Sequence, residues 1–113
     1  MKKLTSLDEI KKISGGNTEL VKEFITKFIA QLSDQLLILN RNITEGNATE
    51  IKFHVHKMKS TLYYFGMLNQ RELAQEIEKI IFSDIEKAKP LIKELIDSCE
   101  LGIGELKLEL KTL

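Results

Sequence analysis

From Leu20 onward the apolar residues of this chain return at helical spacing. Leu20, Phe24, Phe28, Leu32 and Leu36 recur at every fourth position beside Val21, Ile25, Ile29, Leu39 and Ile43, with no Gly or Pro between them. That is the period of an amphipathic helix with one face to bury. Asn17 supplies an N-cap and Gly46 a C-terminal stop, which bounds the helix near residues 17 and 45. Asn47 then offers a fresh cap with Glu50 three residues on, so the chain turns back antiparallel after a very short connection. In the helix that follows, Ile51, Val55, Met58, Leu62 and Phe65 lie within about 80° of one another and form a seam. Gly66 ends or bends it. Asn69 to about Ile81 forms the next helix, with Leu73, Ile77, Ile80 and Ile81 inward.

Ser83 and Glu86 make another capping pattern, but Pro90 cannot donate to the carbonyl of Glu86. A short turn of helix and a kink or restart near Pro90 are expected. Beyond it, Leu91, Leu95 and Cys99 and the row Ile92, Ile96, Ile103, Leu106, Leu110 keep the helical period. Gly102 and Gly104 each weaken this segment by about 1 kcal/mol relative to Ala, so packing must hold it and fraying past Leu106 would follow where packing ends. Upstream, Ser6 with Glu9 is a capping box ahead of two turns lined by Leu7, Ile10 and Ile13 and stopped by Ser14-Gly-Gly16. Four apolar-faced helices on short turns hide their stripes by packing together. The expected fold is all-α: an antiparallel up-down four-helix bundle with a short N-terminal helix laid across it, one domain over residues 1–113.

Composition agrees and narrows the partners. The chain has 113 residues, 42% hydrophobic and 30% charged, with one Pro and no Trp, an ordinary helical globular composition. Seventeen basic and 17 acidic residues cancel, so no global field steers the protein to nucleic acid or to an anionic membrane. The N-terminus, Met1-Lys-Lys-Leu-Thr-Ser-Leu-Asp-Glu9, brings acids too early for a signal peptide, and no window approaches the roughly 18 apolar residues of a membrane span. A cytoplasmic location is expected. Cys99 is the one cysteine and, at helical spacing from Ile96 and Ile103, reads as a small core residue rather than a nucleophile.

The chemistry-bearing residues gather in one stretch, His54 to Gly66, which holds both histidines, both tyrosines and Lys57 and Lys59. His54 falls at the edge of the seam, where backbone or water would satisfy it. His56 sits about 140° from Ile51, with Lys52, Lys59, Ser60 and Tyr63 as its neighbours at helical spacing. No carboxylate or thiol occupies its i±3 or i±4 positions, so a metal site lacks ligands. General-base catalysis lacks an orienting carboxylate on the helix. Nucleophilic attack on phosphorus suits the surroundings, because ammonium groups one turn away, Lys59 and Lys52, lean over the imidazole and attract an anion. From the pattern alone a merely solvated His56 stays open. Phe53, Tyr63 and Tyr64 lie at or beyond the seam's edge near His56, which a purely solvated face does not need; they form a candidate docking patch.

The run His56-Lys-Met-Lys-Ser60 followed by Gly66 resembles the signature of histidine-containing phosphotransfer (HPt) domains: His, any residue, Leu, Lys, Gly, then Gly ten positions after the His. His56, Lys59 and Gly66 match, Met58 stands for Leu, and the resemblance extends through the long helix, the Gly46-Asn turn, Leu73 and Glu78. It implies that His56 accepts a phosphoryl group on Nε2, that Lys59 helps neutralise it, and that the group passes between aspartates of response-regulator receiver domains fed by a hybrid histidine kinase. Lys52, Phe53, Ser60, Tyr63 and Tyr64 would dock those partners. The domain would act as a carrier rather than an enzyme, with no cofactor of its own, the receiver bringing Mg²⁺, and as a monomer. Ser60 departs from the family's Gly; it is small enough to keep the face open but adds a hydroxyl able to bond the imidazole. Gln70 replaces a more usual apolar residue and leaves the start of the fourth helix open. The competing readings are a helical adaptor that binds receiver or kinase domains without transfer, and a bundle that dimerises through Phe53 and Tyr64.

Overall fold

The computed structural model describes residues 3–113; Met1 and Lys2, part of the N-terminal stretch discussed above, lie outside them. Five helices follow one another: α1 (Asp8–Ile13), α2 (Thr18–Glu45), α3 (Ala48–Tyr64), α4 (Leu68–Ile80) and α5 (Ile85–Thr112). The fold is all-α. The last four form a ring in which α2 packs on α3, α3 on α4, α4 on α5 and α5 on α2. Their seams meet in one core, where Ile25, Leu39, Ile51, Met58, Ile77 and Leu95 are completely buried. At roughly 1.5–3 kcal/mol per fully buried large apolar side chain, these seams dominate the stability.

The turns follow their local chemistry. Asn17 Oδ1 accepts from Leu20 N and Asn47 Oδ1 from Glu50 N, both at 3.1 Å, each cap contributing about 1 kcal/mol. Gly46 takes φ +68° as the stop after α2. The second capping box shifts by one residue. Asp84, not Ser83, caps α5 by accepting from Lys87 N at 3.0 Å, while Ser83 Oγ donates back to the carbonyl of Ile80. The expected restart at Pro90 does not occur: α5 is one continuous helix from Ile85 to Thr112 with Pro90 inside it. Pro90 and Glu86 are both exposed, so the carbonyl that loses its partner lies on the solvent side of the helix, where water can satisfy it. The buried row Ala88, Ile92 and Leu95 keeps the helix in register. The α4 helix starts at Leu68, with Gln70 buried rather than disrupting it.

Three apolar assignments need correction. Leu20 and Phe24 are exposed, although the same helix buries Val21, Ile25 and Phe28. Phe28 stacks on Phe65 at 4.1 Å, just past the end of α3, so the first turns of α2 project beyond α3 and only their side carrying Val21 and Ile25 joins the core. In α1 Ile10 is buried, as are Leu7 and Ser14 flanking it, and Ile13 points outward. The Ser6–Glu9 capping box does not form. The Ser6 N–H that Glu9 would need donates instead to the carbonyl of Phe65 at 2.8 Å.

That bond is part of an N-terminal arm which also reaches α5. One carboxylate oxygen of Glu105 accepts from Leu4 N, Thr5 N and Thr5 Oγ1 at 3.0, 3.0 and 2.8 Å, and Lys3 pairs with Glu109. These contacts, with buried Leu106, hold α5 as far as Thr112 without the expected fraying. Gly102 belongs to the same closure, since a Cβ there would stand 2.6 Å from Met67 Cε and 3.5 Å from Thr5 Cγ2. Burial alone would raise the Glu105 carboxyl; the hydrogen bonds from Leu4 and Thr5 and the nearby charge of Lys3 outweigh it and hold the group below 4.5. A depressed folded value contributes stability above the unfolded one and loses it as pH falls through the folded one. Glu105→Gln is therefore expected to melt below wild type near neutral pH, with the gap closing as the pH falls below the ordinary carboxylate range in circular-dichroism melts.

Candidate functional site

The α3 seam fixes where its outer residues point. Val55 and Met58 are fully buried, so His56 between them is thrown to the opposite side, its side chain 69% exposed. Lys59 follows one turn later. Across from both, α4 runs antiparallel and anchors itself through buried Ala74 and Ile77, which sets Glu78 at the α3–α4 junction with its side chain only 14% exposed. The Glu78 carboxylate forks between the two helices. Oε2 lies 2.9 Å from His56 Nδ1, and Oε1 lies 2.7 Å from Lys59 Nζ as an ion pair.

Burial of Glu78 pushes its carboxyl up, but hydrogen bonds and charge from Lys59 and His56 prevail and hold it below the ordinary range. Glu78 is thus a carboxylate near neutral pH, and a carboxylate only accepts hydrogen bonds. The proton between Oε2 and Nδ1 belongs to the imidazole. In the neutral ring this leaves the Nε2 lone pair free, on an exposed side chain. The orienting carboxylate that α3 lacks is therefore supplied by α4. Spacing at i±3 and i±4 along α3 does not reach it; the signals for Glu78 in the sequence were its place in the family resemblance and its position directly after Ile77, on the margin of an apolar row.

Other residues fall differently from their helical positions. Lys52 does not lean over His56; its ammonium sits over the Phe82 ring, 5.0 Å from the centroid. Lys59 at i+3 and Lys52 at i−4 each lie about one turn from His56, and what separates them is the neighbour across the groove, a carboxylate for one and an aromatic ring for the other. Phe82, 61% exposed, is a second residue the helical pattern of α3 could not reveal. Phe53, Tyr63 and Tyr64 are all exposed. Lys57 covers the Phe53 ring at 5.1 Å, and Arg71 stands 5.9 Å from that of Tyr63. Ser60 is exposed and, among the described residues, makes no hydrogen bond to the imidazole, so that face stays open.

His54 is scaffold, with a difference from expectation. Its Nε2 lies 3.4 Å from Glu50 Oε2, the ring meets Phe53 edge-on, and Nδ1 is buried with no partner among the described residues, not satisfied by backbone. Cys99 is fully buried, and burial first, with Glu100 nearby, pushes its thiol up to about 12, which leaves it unreactive. Gly66, at φ +71°, closes α3 and lets the arm cross: a Cβ there would lie 2.6 Å from Ser6 Cβ and 2.9 Å from Ser6 N. No described helix is long and apolar enough to cross a membrane.

An antiparallel helical bundle presenting one solvent-facing, carboxylate-tethered histidine defines a class of small helical histidine modules. The sequence matches the Hpt domain family model over residues 23–113, and the chain belongs to that family, the phosphotransfer domains of two-component signalling. Two solved structures share the fold. The HPt domain of an Hpt sensor hybrid histidine kinase from Shewanella superposes with TM-score 0.83 at 20% identity, covering 97% of this chain and 96% of that one. Histidine-containing phosphotransfer protein B (HptB) from Pseudomonas aeruginosa PAO1 gives 0.84 at 14% identity, with 96% of each chain covered. Among curated proteins no match was found.

Proposed function

We propose that this domain is a phosphorelay intermediate: His56 takes a phosphoryl group from an aspartate of one receiver domain and gives it to another. The observation that carries this reading is the tether of Nδ1 to Glu78, which fixes the proton there and leaves Nε2 as the nucleophile. The Nε2 lone pair attacks the phosphorus of the partner's aspartyl phosphate. An N–P bond forms as the P–O bond to the aspartate breaks, and the aspartate leaves as a carboxylate. Nδ1 keeps its proton throughout, so the phosphorylated ring is cationic, and Glu78 stabilises that charge. Donation to the next receiver reverses these steps. Lys59, already beside the imidazole through Glu78, neutralises the phosphoryl oxygens.

Phe53, Ser60, Tyr63 and Tyr64, together with Lys52 lying over Phe82, frame the docking surface for receiver domains. The receiver brings Mg²⁺ and the acidic pocket, a hybrid histidine kinase feeds the relay, and the domain works in the cytoplasm as a carrier with no ATP site of its own. The test is to incubate wild type with a receiver phosphorylated on its aspartate. The expected product carries an acid-labile, alkali-stable phosphoryl group, placed on Nε2 of His56 by phosphorus NMR. Absence of label with retained receiver binding would establish the noncatalytic adaptor instead.

A further inference from the structure

The groups that engage the His56 ring stand on one side of it. Glu78 on α4 holds Nδ1 at 2.9 Å, and Lys59 pairs with that same carboxylate. Nε2 lies across the ring from Nδ1, so tying Nδ1 to α4 turns Nε2 outward and toward the other flank of α3. Along the helix, Lys59 falls about 60° from His56 in one direction and Ser60 about 40° in the other. Ser60 therefore stands on the flank that Nε2 faces, away from α4. The one ammonium on that flank, Lys57, lies over the Phe53 ring, 5.1 Å from its centroid.

The Ser60 hydroxyl is unengaged. Helical serines and threonines often turn back to a carbonyl three or four residues earlier, and Thr26, Thr44 and Ser98 do so here at 2.8, 3.4 and 3.1 Å. Ser60 is exposed and, among the described residues, bonds neither a carbonyl nor the imidazole. Ser33 and Thr61 are likewise free, but Ser33 is on α2 and Thr61 lies about 140° round α3 from His56. A residue at i+4 is a face neighbour of His56, and its side chain leans back over the preceding turn. The gap between the hydroxyl and the bare ring is what a phosphoryl group on Nε2 fills, since its oxygens reach two bonds beyond the nitrogen. We propose that Ser60 is a phosphoryl-binding residue: once Nε2 is phosphorylated, the hydroxyl donates a hydrogen bond to a phosphoryl oxygen on the side opposite Lys59 and slows loss of the group to water. In that hydrolysis the water oxygen bonds phosphorus as the P–N bond breaks, the electron pair returns to Nε2, and neutral imidazole and inorganic phosphate remain. Negative charge leaves the phosphoryl oxygens in the loose transition state, so a bond donated to them is stronger before cleavage than during it. This inference rests on His56 as the phosphoacceptor.

The test needs no receiver, which keeps it apart from docking. Wild type, Ser60→Ala and Ser60→Gly are phosphorylated with phosphoramidate, a small donor that releases ammonia, and the label is placed on Nε2 of His56 by phosphorus NMR. After removal of the donor, the half-life of the label is followed at neutral pH. Both variants lack the hydroxyl, so both should lose phosphate about 3- to 10-fold faster than wild type, with their phosphorus resonances displaced in the same direction and the helicity of Ser60→Ala unchanged. A half-life in Ser60→Ala equal to or longer than that of wild type would overturn the inference, and so would a shortening confined to Ser60→Gly, which would trace the effect to the backbone. Label that phosphoramidate delivers but a phosphorylated receiver does not would sink the relay reading and leave the half-lives to decide the role of Ser60. A His56 that neither donor labels would overturn both.

Discussion

The His56→Gln protein is expected to take up no phosphoryl label and to melt within about 2 °C of wild type. No other side chain in the described site offers an exposed, unprotonated nitrogen, since Lys59 is a cation paired to Glu78. The fold does not depend on the imidazole, which is 69% exposed and has one polar contact, to Glu78. Exposed substitutions of this kind usually change stability by less than about 0.5 kcal/mol, and the Gln amide can still donate to the carboxylate. A companion variant separates orientation from charge. In Glu78→Gln the side-chain oxygen can still accept from Nδ1, so the proton stays in place, but the negative charge opposite the phosphorylated ring is gone. A charge-assisted hydrogen bond is worth about 1.5–3 kcal/mol and a neutral one about 0.5–1.5, so losing the difference should slow transfer roughly 5- to 10-fold with the label still on His56. Rapid-quench measurement of label transfer checks both. Full transfer in His56→Gln would move the acceptor elsewhere, and an unchanged rate in Glu78→Gln would reduce that residue to packing.

Gly66→Ala is expected to cost about 2–4 kcal/mol and to lower the melting temperature by roughly 10–20 °C. Two independent costs combine. The residue sits at φ +71°, where a Cβ is strained by about 1–2 kcal/mol. The added atom would also collide with Ser6, including its backbone nitrogen at 2.9 Å, and displace the hydrogen bond from Ser6 N to the Phe65 carbonyl. Gly46→Ala is the control: it has nearly the same φ, +68°, but open space around its Cβ, so it should lose only the conformational part. Thermal melts that place the two variants level would show that the arm yields freely.

Much of this was legible along the chain, and the misses share one physical cause. Asn17, Asn47, Gly46 and the seam of α3 are decided within a few residues of themselves, and there the local reading of the helices agrees with the structure. Leu20 and Phe24 continue a faultless apolar row, yet whether that row is covered depends on where α3 ends, which α2 does not encode. Pro90 would end an isolated helix, but its exposure, and the burial of Ala88 and Ile92 beside it, are properties of the assembled bundle. At the site, the place of His56 on the outer face followed from helical geometry. Its tether did not: Glu78 is 22 residues away, and Lys52 and Lys59 could be told apart only by Phe82 and Glu78 opposite them. Ser60 could have bonded the imidazole by spacing, but α4 offered the ring a stronger partner.

The arm that closes the bundle also bears on the order in which it assembles. The α2–α3 and α3–α4 hairpins close through turns of a few residues, whereas Glu105 meets Leu4 and Thr5 across 101 and 100 positions of chain. Loop closure costs more with length, and contacts so distant in sequence form late in folding. The arm can seat only after the turn at Gly66 and the far half of α5 have come together, because it binds both. Its docking is therefore a natural final step of folding, and protonation of Glu105 in acid would undo that step first.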